Sequence, residues 1–158
     1  MESLDQQYLN AMQNMKEDDF TKIVLKPLFQ AMGYERVDFN GGPLERGRDL
    51  IAEIRVPPRK TPRIIYIQSK KIDGKQNTKE SAKFTQLMHQ LRQCCTQKIT
   101  TLEGREVIAD DIYIACPEQI TNRFMEEVSS QLCIPGKEIV PYDGPAILSD
   151  IKEFFQSY

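Results

Sequence analysis

The sequence predicts an α/β fold in which a mixed central β-sheet has helices on both faces. Three strand-like segments follow one another at residues 34–40, 47–53 and 64–71, with only loops between them. Consecutive strands of this kind pair as an antiparallel meander. Two further strand segments, at 110–116 and 138–140, alternate with helical patterns, which adds parallel strands through right-handed crossovers. The predicted element order is α-α-β-β-β-α-β-α-β-α.

Helical segments are predicted wherever apolar residues recur at helical spacing. Pro27 is expected to kink the second helix, and Gly33 is well placed to end it. Pro117 is expected to start the helix that follows the fourth strand. The predicted helices cover residues 3–15, 18–32, 78–96, 117–132 and 145–155.

Length and composition favour a single globular domain. The chain has 158 residues, of which 40% are hydrophobic and 28% charged, close to ordinary globular usage. No apolar run reaches the length of a membrane span. The first residues are polar and acidic, unlike a signal peptide. We therefore expect one domain over residues 1–158, located in the cytoplasm and without a membrane partner.

The four cysteines argue against a structural zinc site. Cys94, Cys95, Cys116 and Cys133 form no CxxC pair, and His89 is the only histidine of the chain. We expect buried or half-buried free thiols in a reducing compartment. A nucleophilic Cys–His pair is the less favoured alternative, because nothing in the sequence places an acid or an oxyanion donor beside it.

The charge distribution is uneven along the chain. The net charge is −2, which argues against a generally basic nucleic-acid binder. Residues 55–83, however, contain nine basic and two acidic side chains, a local charge of +7. A positive patch on an acidic protein can still bind a phosphate backbone. The alternative interpretation is a solvated basic loop and helix face.

The second and third strands predict a chemically distinctive hairpin. The proline-rich stretch 57–62 suits the connection between them. If the hairpin is symmetric about that loop, Asp49 lies across from Gln68. Side chains alternate along a strand, so Gln68 and Lys70 share one face. An acid, an amide and an ammonium would then suit a divalent metal held against a phosphate. The alternative is an ordinary hairpin in which Lys70 is merely solvated.

A series of short motifs resembles the PD-(D/E)XK nuclease superfamily, and most of all its Mrr-type restriction endonuclease branch. The motifs are MGY at 32–34, ERGRDLI at 45–51 and IQSK at 67–70, the last matching the Q-x-K form common in that branch. The resemblance covers residues 17–116 at the level of element order. It implies a restriction-endonuclease-like core and metal-dependent hydrolysis of phosphodiester bonds, usually in DNA, for restriction or antiphage defence.

The resemblance also implies roles for the hairpin residues. Asp49 corresponds to the metal-ligating acid, Gln68 to a second metal or water contact, and Lys70 to the catalytic lysine. The implied cofactor is Mg²⁺ or Mn²⁺, which carboxylate oxygens bind well. An amide binds metal more weakly than a carboxylate. Gln68 therefore leaves open a catalytically inactive module that binds nucleic acid or a protein partner. Glu53, four residues after Asp49, is a minor candidate for a further acid.

Families of this kind often add an acid from the helix before the first strand. Counting back from Gly33, the expected position falls close to Lys22. Asp18 and Asp19 lie one turn earlier and are candidates, as is Glu45 near the hairpin. The alternative roles are helix capping and dipole compensation for the two aspartates, and turn formation for Glu45.

Basic side chains near the hairpin are candidate contacts to a nucleic-acid backbone. They are Arg48, Lys71, Lys75 and Lys79. The start of the following helix, at 76–79, would either hold a phosphate or serve as an ordinary cap. The expected partners are DNA, further copies of the chain in a homodimer or larger assembly, and a fused or separate sensor or NTPase domain. The chain would then be the N-terminal effector domain of a longer protein.

Overall fold

The computed structural model describes residues 3–40, 49–58, 61–70, 82–132 and 136–155. The helical elements are α1 (Leu4–Gln13), α2 (Glu17–Asp19), a π-helical segment (Phe20–Leu25), α3 (Lys26–Ala31), α4 (Ala82–Thr96), α5 (Asn122–Gln131) and α6 (Gly144–Phe155). The strands are β1 (Arg36–Asn40), β2 (Asp49–Ile54), β3 (Arg63–Ser69), β4 (Lys98–Thr100), β5 (Glu106–Ile108), β6 (Asp111–Ala115) and β7 (Glu138–Tyr142). Within the described ranges, no helix has the length and apolar character needed to cross a bilayer.

Five strands form a mixed sheet in the order β1-β2-β3-β6-β7. The first three pair antiparallel, and β6 and β7 then add parallel to β3. This arrangement confirms the predicted fold class. The strands β4 and β5 form a separate antiparallel hairpin that the sequence pattern did not reveal.

The sheet separates two hydrophobic cores. Because strand residues alternate between faces, Ile64 and Tyr66 join the core under α4 and α5, whereas Ile65 and Ile67 join the core formed with α1, α3 and α6. All four side chains are at most 2% exposed. Burying a side chain of this size contributes about 1.5–3 kcal/mol. Helices are therefore held on both faces of the sheet, as predicted.

The helical region before β1 changes its hydrogen-bonding pattern just ahead of Pro27. The Lys26 N–H donates to the Thr21 carbonyl, five residues earlier, which is π-helical pairing. A proline lacks the N–H group and crowds the carbonyl four residues before it. The wider π-turn accommodates both effects, so helical structure continues from α2 through α3. The helix interruption predicted at Pro27 is therefore a π-helical segment just ahead of it.

The helix after β6 begins later than predicted. It starts at Asn122 and not at Pro117, because the Thr121 hydroxyl accepts a hydrogen bond from the Phe124 N–H at 3.1 Å and caps the helix there. Pro117 is buried at the end of β6. The last strand is longer than the predicted 138–140. Its Pro141 is tolerated because β7 lies at the sheet edge.

The cysteines within the described residues are free and buried, as predicted. They are Cys94, Cys95 and Cys116, whereas Cys133 lies outside the described residues. Burial raises the pKa of the Cys95 thiol and keeps it neutral at physiological pH. These thiols pack as small apolar groups.

Candidate active site

The β2–β3 hairpin has the register that its symmetry predicted. Asp49 pairs with Gln68, and each following pair continues the antiparallel ladder to Ile54 and Arg63. The backbone of Asp49 is part of β2, but its side chain lies outside the described part of the chain. The pairing places residues 49 and 68 side by side near the end of β3.

Gln68 is fully buried beneath α4, and one side of its amide has a partner. The Cys94 thiol donates to Gln68 Oε1 at 3.3 Å. Gln68 Nε2 is buried and has no partner among the described residues. Rotating the amide by 180° exchanges its oxygen and nitrogen, and a thiol can accept as well as donate. The unpartnered side can therefore present either an N–H donor or an oxygen.

Lys70 directly follows β3 and is half-buried. Its backbone N–H donates to the Ala115 carbonyl at 2.9 Å, which continues the parallel ladder with β6 one residue past the strand. The side chains of β3 therefore continue to alternate between the two sheet faces as far as Lys70. Lys70 is consequently on the same face as Gln68. This agrees with the predicted relation between the two positions.

A buried hydroxyl pair ties the first helices to the end of β3. The Thr21 and Ser69 side-chain oxygens lie 2.7 Å apart, and both residues are 0% exposed. Thr21 Oγ1 also lies 2.9 Å from the Glu17 carbonyl, which can only accept. If the single proton of Thr21 goes to that carbonyl, Ser69 donates to Thr21. The residue preceding Lys70 is thereby fixed to the helix that carries the candidate acids.

The candidate acids of α2 differ in exposure. Glu17 and Asp18 each have one buried carboxylate oxygen, whereas Asp19 is exposed. Both acids lie within one helical turn of Thr21 and therefore near the end of β3. Lys22 is exposed, and its Nζ lies 4.7 Å from the centroid of the Phe39 ring.

Several predicted site residues lie outside the described residues. They are Glu45, Arg48, Lys71, Lys75 and Lys79, together with the helix start at 76–79. In the part of the chain that is described, no three histidine, cysteine, aspartate or glutamate side chains cluster closely enough to hold a metal ion.

Comparison with known families identifies the group to which the chain is related. The family model Mrr_cat, described as "Restriction endonuclease", matches residues 12–104, which is more than half of the chain. The chain belongs to this restriction endonuclease family. The matched region contains the helices from α2 to α4 and the meander with its β2–β3 hairpin.

A solved structure is similar to this member of the restriction endonuclease family. It is the DNA modification-dependent restriction endonuclease AspBHI, with a TM-score of 0.57 and 14% sequence identity. The match covers 94% of this chain but only 35% of that enzyme, so the chain spans about a third of its length. At this identity the likeness shows the shared fold. No curated protein matches the chain.

Sequence reasoning about this restriction endonuclease domain missed the pair formed by Thr21 and Ser69. A signal was present for each residue. Thr21 lies four residues before Leu25 and therefore on the inward stripe of the helix. Ser69 alternates with Gln68 and so belongs to the sheet face that α3 covers.

Glu53, a minor candidate acid, has a structural role in the restriction endonuclease fold. It is 3% exposed, and both carboxylate oxygens accept the Leu102 N–H at 3.2 Å. Arg36 also donates to it at 3.3 Å. Burial alone would lower the pKa of Arg36, but its bonds to Asp38 and Glu53 outweigh that effect and raise the pKa. Glu53 therefore anchors the turn of the β4–β5 hairpin to β2.

A polar cleft opens beside the edge strand β1 of this family member. We call it the β1 cleft, and its volume is about 460 Å³. Ile51 contributes to its wall and lies two residues along β2 from Asp49. The cleft is lined by Lys26, Arg36, Asp38, Phe39, Ile51, Gln97, Lys98, Ile99 and Thr100.

Proposed function

We propose that the chain is a metal-dependent endonuclease domain that hydrolyses phosphodiester bonds in DNA, of the restriction or antiphage type. The observation that carries the proposal is the β2–β3 register, which pairs Asp49 with Gln68 two residues before Lys70. Membership of a restriction endonuclease family supports the same assignment.

The donor set suits a hard divalent cation. Asp49, Gln68 and Asp18 would hold Mg²⁺ or Mn²⁺ through oxygen atoms, the ligands that these ions prefer. The unpartnered side of the Gln68 amide supports this fit. When bound, the ion would supply positive charge at the phosphate and lower the pKa of a coordinated water.

Lys70 has the second role in the proposed reaction. Its ammonium group would orient the attacking water or stabilise the negative charge that develops on the phosphate. Such a role requires a fixed position relative to the acids. The backbone bond from Lys70 to Ala115 and the contact between Ser69 and Thr21 would provide it.

A second candidate is a catalytically inactive nuclease-fold module that binds nucleic acid or a protein partner. The observation that favours it is the chemistry of Gln68, a neutral side chain of which one side already contacts Cys94. Such a module would retain affinity for DNA without cleaving it.

The proposal extends to the setting of the domain. Residues 1–158 would form one effector domain at the N-terminus of a longer cytoplasmic protein, which accords with the 35% of AspBHI that the match covers. A fused or separate sensor or NTPase domain would control it. Pairing of two copies or a larger assembly would allow both DNA strands to be cut.

Cleavage of supercoiled plasmid tests the proposal. The purified chain is incubated with Mg²⁺ or Mn²⁺ and with EDTA, alongside Asp49→Ala, Lys70→Ala and the control Lys152→Ala on α6. We expect metal-dependent cleavage by the parent and the control, lost with EDTA and in both site variants. Cleavage that survives both site substitutions would contradict the assigned site. DNA binding without cleavage under any metal would favour the inactive module.

A further inference from the structure

We propose that the β1 cleft binds the sugar-phosphate backbone of one DNA strand where it leads away from the candidate active site. This inference rests on the proposed function and names the surface that would hold the substrate next to the scissile phosphate.

The position of the cleft connects it to the candidate site. Ile51 and Asp49 are two residues apart on β2. Residues so spaced on a strand share a face and lie about 7 Å apart. A strand with its scissile phosphate at Asp49 would therefore enter the cleft within about one nucleotide step. The cleft follows the edge of the sheet, where no further strand among the described residues lies beside β1.

The charge of the cleft favours an anion. The positive charge of Arg36 is compensated by its ion pairs with Asp38 and Glu53. Three basic side chains, Lys26, Arg36 and Lys98, line the cleft against these two carboxylates, which leaves a net charge of +1. Lys98 is 76% exposed and lies 3.9 Å from Glu106, an exposed pair that water and salt weaken. Both lysines are consequently suited to bind phosphates.

The shape and lining of the cleft suit a nucleotide-sized segment. A volume of about 460 Å³ is within the usual range for small-molecule sites. Phe39 is half-buried and provides apolar surface for a sugar or a base, whereas Ile51 is only 4% exposed. Lys22 lies against the Phe39 ring, which adds a further positive charge at the margin of the cleft. The cleft therefore combines phosphate-binding charges with surface for the rest of a nucleotide.

The test measures DNA binding without cleavage. All proteins carry Asp49→Ala and are titrated in EDTA against a fluorescent duplex at several salt concentrations. One variant adds Lys26→Gln and Lys98→Gln, and a matched control adds Arg123→Gln and Lys152→Gln on α5 and α6.

Each lost phosphate contact lowers the slope of log K against log salt by about 0.9. We expect weaker binding and a slope smaller by about 2 in the cleft variant, with the control unchanged.

Each outcome bears on the cleft separately from catalysis. The proposed role would be overturned if the cleft variant and the control variant had equal affinity for DNA and equal salt slopes. It would also be overturned if the protein that carries Asp49→Ala alone did not bind DNA. If the cleft variant alone binds more weakly while the chain with Asp49 intact cleaves nothing, the cleft is supported and the nuclease proposal fails. If that chain cleaves but the cleft variant binds normally, only the cleft proposal fails. Matching thermal unfolding of all variants excludes misfolding.

Discussion

At the scale of single residues, the buried hydroxyls of Thr21 and Ser69 link the helices to the end of β3. Thr21→Val keeps the volume but leaves Ser69 without that partner, whereas after Ser69→Ala the Thr21 hydroxyl still bonds to the Glu17 carbonyl. An unsatisfied buried polar group costs about 1–3 kcal/mol. We expect Thr21→Val to lower the free energy of unfolding by this amount, Ser69→Ala by less, and the double variant by less than their sum, as measured by urea denaturation.

The control for this pair is Ser130→Ala, because Ser130 is exposed and its hydroxyl donates locally to the Glu127 carbonyl. It should leave the free energy of unfolding nearly unchanged. The two hydroxyls are not energetically coupled if the double variant loses the sum of the two single losses in free energy of unfolding, within about 0.5 kcal/mol.

Tyr142 gives a prediction about alkaline pH. Its hydroxyl donates to Asp150 at 2.6 Å, and burial together with that carboxylate raises the pKa of Tyr142. An unfolded tyrosine ionises near pH 10. Because the folded pKa is higher, the stabilisation is complete below about pH 10 and is lost as the pH rises toward the folded pKa.

The substitution Tyr142→Phe should therefore have one effect at neutral pH and another at alkaline pH. It should lower the free energy of unfolding at pH 7 by about 1–2 kcal/mol, through the lost hydrogen bond to Asp150. Above pH 10 the stability of the variant should fall less steeply than that of the parent. Tyr8→Phe, at an exposed site, is the control. An unchanged alkaline slope in Tyr142→Phe would contradict this explanation.

The residue-level predictions succeeded where local geometry was regular. Loop symmetry was enough to pair Asp49 with Gln68. Counting back from Gly33 placed the expected acid close to Lys22, but the helix is not regular in this region. The π-helical segment adds a residue to the helix. Thr21 consequently faces Ser69, while Lys22 lies against Phe39.

At the scale of elements, Glu53 holds the β4–β5 hairpin against the sheet. Glu53→Gln removes the charge that strengthens its bonds to the Leu102 N–H and to Arg36. Hydrogen bonds to charged groups contribute about 1.5–3 kcal/mol. We expect a loss of about 2 kcal/mol in urea denaturation and faster proteolysis at residues 101–105. The control Glu106→Gln, on the exposed β5 strand, should show neither effect. Equal proteolysis of the two variants would contradict the anchoring role.

Long elements were predictable and short ones were not. The helices and central strands carry enough periodic apolar residues to define a face, whereas β4 and β5 have three residues each. The start of α5 was misplaced because Pro117 serves another purpose. A Cβ added at Gly144 would meet the Pro117 carbonyl oxygen at 2.1 Å, so the end of β6 and the start of α6 approach closely there.

At the scale of the whole molecule, the two cores share one sheet. Removing either core would expose one face of β3, where six of the seven residues are buried. We therefore expect residues 1–158 to unfold in a single cooperative transition. Circular dichroism of the backbone and tyrosine fluorescence should give coincident urea curves. Two separated transitions would contradict the assignment of one domain.

The fold class followed from the order of elements, because three adjacent strands and later β-α-β alternation allow few topologies. The β1 cleft could not be predicted in the same way. Its walls come from α3, from the strands β1 and β2, and from residues 97–100. Only tertiary packing brings these distant segments together.

The central claim is that Asp49 and Lys70 belong to one nuclease site. It is tested most directly by the initial rate of plasmid nicking for Asp49→Asn, Lys70→Ala and the double variant at saturating Mg²⁺. Residues that act as one catalytic unit have strongly non-additive effects. We predict that the double variant is no slower than the slower single variant. The claim would be contradicted if the rate reductions of the two single variants multiplied in the double variant. Nicking by the double variant at the parent rate would also contradict it.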